Sequence, residues 1–148
     1  MTTEPTVSHL VTTGAARILF DLRTADQTKK ILGGAYPAAC LYMQTSWIDG
    51  HPKETQKLAH AFVKTLRWIA THTAAQITEK MPADYYAGDK ASYVKALALS
   101  KGMFTPDGVM PPSGPKTVLT VLSTFNPAIK ANMINLSQTY TTKFVQGR

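Results

Sequence analysis

Histidine and cysteine are the side chains in this sequence best suited to metal binding or nucleophilic chemistry. No two histidines have the i+3 or i+4 spacing that lets two imidazoles share a metal ion on one helix; the four are His9, His51, His60 and His72. The single Cys40 lies in an uncharged apolar segment with no cation or base nearby in sequence, which is typical of a buried, inert thiol. We therefore predict neither a metal site nor a nucleophilic cysteine.

The segment Pro111–Thr117, PPSGPKT, has only a superficial similarity to a phosphate-binding loop. Such a loop needs Gly-Lys-Ser or Gly-Lys-Thr in direct succession, so that backbone N–H groups and the lysine converge on phosphates. Here Pro115 interrupts that order and removes one N–H donor. Aspartate and glutamate total only nine and form no paired-carboxylate pattern. The sequence therefore predicts no cofactor and no enzymatic activity.

The composition is that of a globular protein with a basic surface. A length of 148 residues, 44% of them hydrophobic and 17% charged, suits a single domain covering 1–148. The net charge of +7 attracts anions, but the lysines are dispersed and their longest run is Lys29-Lys30. A nucleic-acid-binding protein usually concentrates them on one face, so we predict no nucleic-acid partner. The uncharged apolar stretch Ile31–Ser46 is too short, and too rich in Gly, Ala and polar groups, to span a bilayer.

The elements that must position any site begin with a short helix opened by Pro5 and ended by Gly14. Two strand candidates follow. Ala16–Leu22, ARILFDL, carries apolar side chains on both sides, and Ala35–Met43, AYPAACLYM, has no charge at all, with Pro37 at an edge position. Two strands do not make a stable sheet alone, and the chain offers no partner strand for them.

The rest of the chain is predicted to be helical. The longest helix is expected at Pro52–Thr73, after an Asp49-Gly50 turn, and shorter helices are expected after the capping residues. A last helix is expected to fray at Gly147. Strands within 16–43 and helices within 52–146 together predict an α/β fold with more helix than strand. The residues behind these predictions are the stripe Leu58, Phe62, Leu66 and Ile69, the caps Thr73, Asp89 and Ser113, and the last helix's Leu136, Tyr140 and Phe144.

Several motifs between Tyr36 and Pro111 occur in an order that resembles a known family. They are the small-residue segment with Tyr and Pro, the Asp-Gly-x-Pro helix opening, LRWI, Met-Pro, and MFTPDGVMP. Together they resemble the C-terminal part of ABC-transporter substrate-binding proteins of the nitrate/sulfonate/taurine type, a group that includes the thiamine-pyrimidine-synthesis-like domain. Upstream, TTEPTVSHLV and RILFDLRT resemble the segment in which such chains cross between lobes.

The resemblance implies a fold, a function and a compartment. The family has two α/β lobes around a cleft, and this chain would be part of one type II periplasmic-binding-protein lobe, truncated from a protein about twice as long. Its members capture a small polar or aromatic solute and deliver it to a membrane permease. The full-length family is periplasmic, but this sequence shows no signal segment.

The resemblance also implies candidate ligand-binding residues. Thr3, Glu4 and Thr6 fall in the crossing segment 1–15, near the cleft, and Tyr36 starts the segment that returns to it. A glutamate there favours an amine or ring nitrogen over a bare anion such as nitrate, because like charges repel in a dry cleft. Two structural alternatives stay open: Glu4 as a helix N-terminal residue favoured by the dipole, and Tyr36 as a core aromatic.

The unpaired apolar segments predict association rather than a stable monomer. The chain would form a homo-oligomer or bind the missing N-terminal half. Two other functions remain as alternatives: a free-standing interaction or structural domain derived from the same fold, and a small basic nucleic-acid-binding protein.

Overall fold

A computed structural model of the chain describes residues 3–86 and 88–145. Across these residues the chain is helical and contains no β-strand, so the predicted α/β fold is wrong. Gln146 and Gly147, where the last helix was expected to end, lie outside the described residues, as do the first two residues of the crossing segment. The α-helices are α1 (Thr6–Thr12), α2 (Ala25–Leu32), α3 (Thr45–Gly50), α4 (Pro52–Thr71), α5 (Ala74–Thr78), α6 (Lys90–Ser100) and α7 (Gly114–Phe125).

The two predicted strands, Ala16–Leu22 and Ala35–Met43, are irregular segments. From 17 to 22 and from 35 to 43, no backbone N–H donates to another backbone group within the described part of the chain. A strand exists only when a neighbouring backbone completes its hydrogen bonds, and the rest of the described chain is committed to helices and turns. Apolar sequence pattern alone therefore did not produce a sheet here.

Helix positions set by local capping agree with the sequence. Pro52 begins α4, the longest helix, at 20 residues. Thr73 and Gln76 form the expected capping box at α5, in which each side chain bonds the other's backbone N–H. Asp89 caps α6 by accepting a hydrogen bond from the backbone N–H of Ser92 at 2.9 Å. These predictions are confirmed because each depends on residues within one turn.

Other local predictions failed. The expected last helix through Leu136 and Phe144 is reduced to a 3-10 turn, Leu136–Gln138. Asp49-Gly50, expected as a turn, forms the end of α3, a helix that the sequence did not predict. The polar segment 23–34 between the two expected strands is a different case, because its sequence allows a helical turn and it holds the two-turn helix α2, capped by Thr24.

The core is small and built from small side chains. Its buried apolar residues come mainly from α4, α5 and α6, and α5 packs against α6. On α4 the buried face follows Thr55, Ala59 and Val63, whereas Leu58 and Phe62 of the predicted stripe are 38% and 50% exposed. The buried apolar set is Ala59, Val63, Ala74, Ile77, Ala96 and Phe144.

The segment that carries Tyr36 is held against the start of α7 by two close glycine contacts. A Cβ on buried Gly34 would overlap the hydroxyl oxygen of Thr117, and a Cβ on Gly114 would lie 3.0 Å from the Pro37 ring. A side chain at Gly34 would displace the Thr117 hydroxyl, and one at Gly114 would crowd the Pro37 ring, because both glycines lie directly against these side chains. This contact fixes the position of Tyr36 relative to α7.

Candidate functional site

Glu4, the charged residue of the predicted site, lies in an ion pair at the start of α1. Its Oε1 is 2.9 Å from Nη1 of Arg23, and its Oε2 accepts a hydrogen bond from the backbone N–H of Ser8 at 3.1 Å. The Glu4 side chain is only 14% exposed. The carboxylate therefore joins the first helix to the segment before α2, and it also satisfies one N–H in the first turns of α1.

Asp21 is the second carboxylate on the same guanidinium. Arg23 donates to it through Nη2 at 2.7 Å and through Nε at 2.9 Å, and the Arg23 backbone N–H adds a bond at 2.9 Å. These bonds to the Arg23 side chain and backbone lower the pKa of Asp21 from 3.8 to about 2. The hydrogen bonds to Asp21 and Glu4 in turn raise the pKa of Arg23, so the guanidinium stays charged.

The resulting cluster, defined as Glu4, Asp21 and Arg23, combines two carboxylates with one guanidinium. With all three groups ionised its formal charge is −1, on a chain whose net charge is +7. Arg23 uses Nε and both terminal nitrogens on the two acids, and its side chain is 23% exposed. The remaining carboxylate lone pairs can accept hydrogen bonds from an ammonium or a ring N–H, while a bare anion would meet net repulsion.

The other predicted site residues are only partly gathered around this cluster. Thr3 and Thr6 are exposed on either side of Glu4 and Pro5, and Thr6 begins α1. Tyr36 is half-buried on the segment packed against α7, and no hydrogen bond joins it to those residues in the described structure. Only sequence adjacency brings Thr3, Glu4 and Thr6 together, at the start of α1. Tyr36 lies in a different part of the fold.

Sequence reasoning missed Arg23 and Asp21. Both lie in RILFDLRT, the stretch that supported the resemblance, but the segment was interpreted only as a strand and its polar end. The available signal was the Asp-x-Arg spacing just before a helix cap. An aspartate two residues before an arginine can bond both its backbone N–H and its side chain, as happens here.

Two histidines act at helix ends. His51 and His72 lie at the C-terminal ends of α3 and α4, each stacked on the tryptophan four residues earlier, with ring centroids 4.7 and 4.2 Å apart. In each pair the histidine Nδ1 lies at hydrogen-bonding distance from the tryptophan carbonyl oxygen, 3.0 Å from Trp47 and 2.7 Å from Trp68. Each imidazole thus adds a contact to a carbonyl that already accepts another hydrogen bond, from the His51 backbone N–H at Trp47 and from the Thr71 hydroxyl at Trp68. Among the described residues no group of three or more acidic, histidine or cysteine side chains could hold a metal ion.

Cys40 differs from its prediction, because it is exposed rather than buried. Pro37 is the last residue of this segment that packs against the start of α7, and residues 38–42 after it, including Cys40, are exposed.

Two open depressions lie elsewhere on the surface and contain none of the predicted site residues. One, of about 490 Å³, lies between α5 and α6, and the other, of about 500 Å³, lies beside the start of α4. In the second, the Gln56 amide contacts His60 and donates to the Phe144 carbonyl at 2.7 Å, so the polar groups at its base already bind one another. Both depressions are shallow and carry exposed lysines. None of the described helices is long and apolar enough to cross a membrane.

Comparison with known proteins gives one informative match. A solved structure of a protein from Bordetella bronchiseptica RB50 superposes on 97% of this chain with a TM-score of 0.92 and 36% sequence identity. The chain spans 45% of the length of that protein. No family model and no curated protein matches the chain. The helical arrangement described above is therefore shared with slightly less than half of a longer protein.

Proposed function

We propose that this chain is part of a solute-binding protein of an ABC import system. The whole protein would capture a small polar or aromatic solute in a cleft and deliver it to a membrane permease. The observation that carries the proposal is the collinear resemblance of TTEPTVSHLV, RILFDLRT and the motifs from Tyr36 to Pro111 to the nitrate/sulfonate/taurine group. The Bordetella protein, more than twice as long as its matched part, agrees with the length that this resemblance implies.

The cluster of Glu4, Asp21 and Arg23 supports a particular class of solute. Its formal charge of −1 and its unused carboxylate lone pairs favour a ligand with an ammonium group or a protonated ring nitrogen. Thr3 and Thr6 offer exposed hydroxyls on both sides of Glu4. We therefore propose an amino-sulfonate or an aminopyrimidine in preference to nitrate.

A chimeric protein tests this proposal. The present sequence replaces the matched 45% of the Bordetella protein, and thermal unfolding is followed with amino-sulfonates, aminopyrimidines and small carboxylic acids. A ligand at one hundred times its Kd adds about 2.7 kcal/mol of stability. For a chain of a few hundred residues this raises Tm by roughly 5–10 °C. The 148-residue chain alone should respond weakly, because one wall of a cleft buries too little of a ligand.

Two variants locate the binding group. Glu4→Gln should weaken binding of an amine-bearing solute at least tenfold, since a charged hydrogen bond is lost. Glu54→Gln, an exposed carboxylate in the first turn of α4, is the matched control and should leave binding unchanged. A folded chimera that responds to nucleic acid and to none of these solutes would refute the proposal.

A free-standing interaction domain is the second candidate, and one observation favours it. Phe20 and Tyr42 are 73% and 88% exposed, which is unusual for large apolar side chains unless another molecule covers them. The same chimera separates the two functions, because an interaction domain would show no solute-dependent rise in Tm.

A further inference from the structure

Two apolar segments of this chain are uncovered. Segment 17–22 exposes Leu19 by 72% and Phe20 by 73%, and segment 38–43 exposes Leu41 by 45% and Tyr42 by 88%. In each segment these two side chains are consecutive, and Ile18, next to Leu19, is also 38% exposed. Contiguous exposure of this kind marks interaction surfaces more often than free surfaces in soluble proteins.

The backbone of these segments is equally unpartnered. No N–H from 17 to 22 or from 38 to 43, and no carbonyl from 17 to 21 or from 38 to 43, forms a backbone hydrogen bond within the described residues. Buried backbone groups are almost always paired. A partner that covers the apolar side chains must therefore also supply hydrogen-bonding groups, which a polypeptide backbone does and a small solute or lipid tail does not.

A third uncovered feature lies on α4. The apolar stripe predicted from its sequence points partly outward, with Leu58 and Phe62, one turn apart, 38% and 50% exposed. Amphipathic helices normally bury the apolar stripe against a neighbouring element. Here the neighbour on that side is missing from the described fold.

The total accessible surface gives the scale of what is uncovered. The chain exposes 10934 Å². A compact monomer of its mass, 16.1 kDa, exposes about 7,400 Å². The excess, roughly 3,500 Å², is several times the 800 Å² or so that each partner contributes to a standard interface. An excess of this size fits a large obligate interface better than a transient contact.

A second copy of the chain is a poor occupant. Each copy carries a net charge of +7, so two copies repel. A standard symmetric dimer would also leave most of the excess surface uncovered. The Bordetella protein, in contrast, contains more chain outside the matched region than inside it.

We infer that segments 17–22 and 38–43 are the docking surface for a complementary polypeptide that corresponds to the unmatched part of the Bordetella protein. That polypeptide packs on Phe20 and Tyr42 and forms hydrogen bonds with the backbone of both segments. The inference concerns assembly and is independent of solute binding, because complex formation is measured without any solute.

Co-expression tests the inference. The tagged 148-residue chain and the unmatched part of the Bordetella protein are produced together, and the purified complex is weighed by light scattering. We expect a one-to-one complex. Phe20→Asp with Tyr42→Asp should reduce the co-purified polypeptide at least tenfold, whereas Met133→Asp, a similarly exposed apolar residue outside both segments, should not. Circular dichroism checks that each variant keeps its helices.

Hydrogen exchange provides an independent measurement. Amides of 17–22 and 38–43 should exchange rapidly in the chain alone and at least a hundredfold more slowly in the complex. The inference is overturned by equal complex formation in the Phe20/Tyr42 and Met133 variants. It is also overturned if the added polypeptide remains insoluble or unbound in co-expression, if the amides are already protected in a monomer, or if a homodimer protects them.

Discussion

Replacing Arg23 with methionine should remove a distinct acid-dependent part of the chain's stability. Because the pKa of Asp21 is about 2 in the folded chain and 3.8 as a free side chain, the unfolded chain binds more protons between these values. The contribution is therefore complete above about pH 4 and lost as the pH falls to about 2. The difference corresponds to about 2.4 kcal/mol at most. The Asp21 side chain is 37% exposed, and solvent screening reduces the expected contribution to about 1 kcal/mol.

The assay is urea unfolding followed by tryptophan fluorescence at several pH values between 7 and 2, at one fixed protein concentration so that association does not vary. The free-energy gap between wild type and Arg23→Met should shrink by about 1 kcal/mol from pH 5 to pH 2. Arg17→Met is the matched control, since Arg17 is exposed and forms no ion pair within the described residues. If wild type and Arg23→Met lose stability in parallel over this range, Arg23 does not hold the pKa of Asp21 down.

Three further substitutions test the local packing and caps. Gly34→Ala should lower the unfolding free energy by about 1–3 kcal/mol through overlap with Thr117, and Thr117→Ala in the same chain should restore most of that loss. Gly33→Ala is the control: its cost comes from a φ of 83° with open space around it, so Thr117→Ala should not restore it. Equal rescue of both variants would contradict the contact between Gly34 and Thr117. Thr73→Ala should lower the unfolding free energy by about 1 kcal/mol through loss of the α5 capping box, measured by urea midpoint, and an unchanged midpoint would show that the cap is not formed. Glu79→Gln should leave the midpoint within experimental error, since its ion pair is fully exposed, and a clear loss would show that the pair is shielded from solvent.

The parts of the fold that the sequence predicted are those decided within one helical turn. The Thr73 capping box and the Asp89 cap are satisfied by residues three positions away, so no knowledge of the rest of the molecule was needed. Pro52 likewise marks the start of α4 because its missing N–H costs nothing there. Tertiary packing left these signals unchanged.

The parts that failed depend on distant partners. Ala16–Leu22 and Ala35–Met43 have the composition of strands, but strand formation needs a second backbone, and the described chain provides none. The apolar stripe of α4 predicted the helix but not which side would be buried, since Val63 packs inward while Phe62 remains half exposed. Periodicity shows that a face is apolar; the identity of the covering element lies outside the helix.

The arginine partner of Glu4 was not predicted from the sequence. A glutamate near a cleft was interpreted as a ligand group or as a helix-terminal residue, and the structure gives it an arginine partner as well. The pairing spans 19 residues of sequence, so no local pattern could show it.

Under the solute-binding function proposed above, the ion pair would also determine which solutes are discriminated. A lone carboxylate would bind any ammonium group, whereas two carboxylates bridged by one guanidinium present their remaining acceptor lone pairs in a fixed arrangement. That arrangement depends on Arg23, which holds both carboxylates at once. With only one of the two acids, the guanidinium, whose side chain is 23% exposed, would be partly unpaired. Solute selectivity should therefore fall in Arg23→Lys even though the charge is kept, since a lysine ammonium cannot hold two carboxylates in the planar arrangement. In the chimeric protein, an aminopyrimidine and an alkylamine should bind more equally after that substitution. An unchanged ratio of their Kd values would show that Glu4 acts only by its charge.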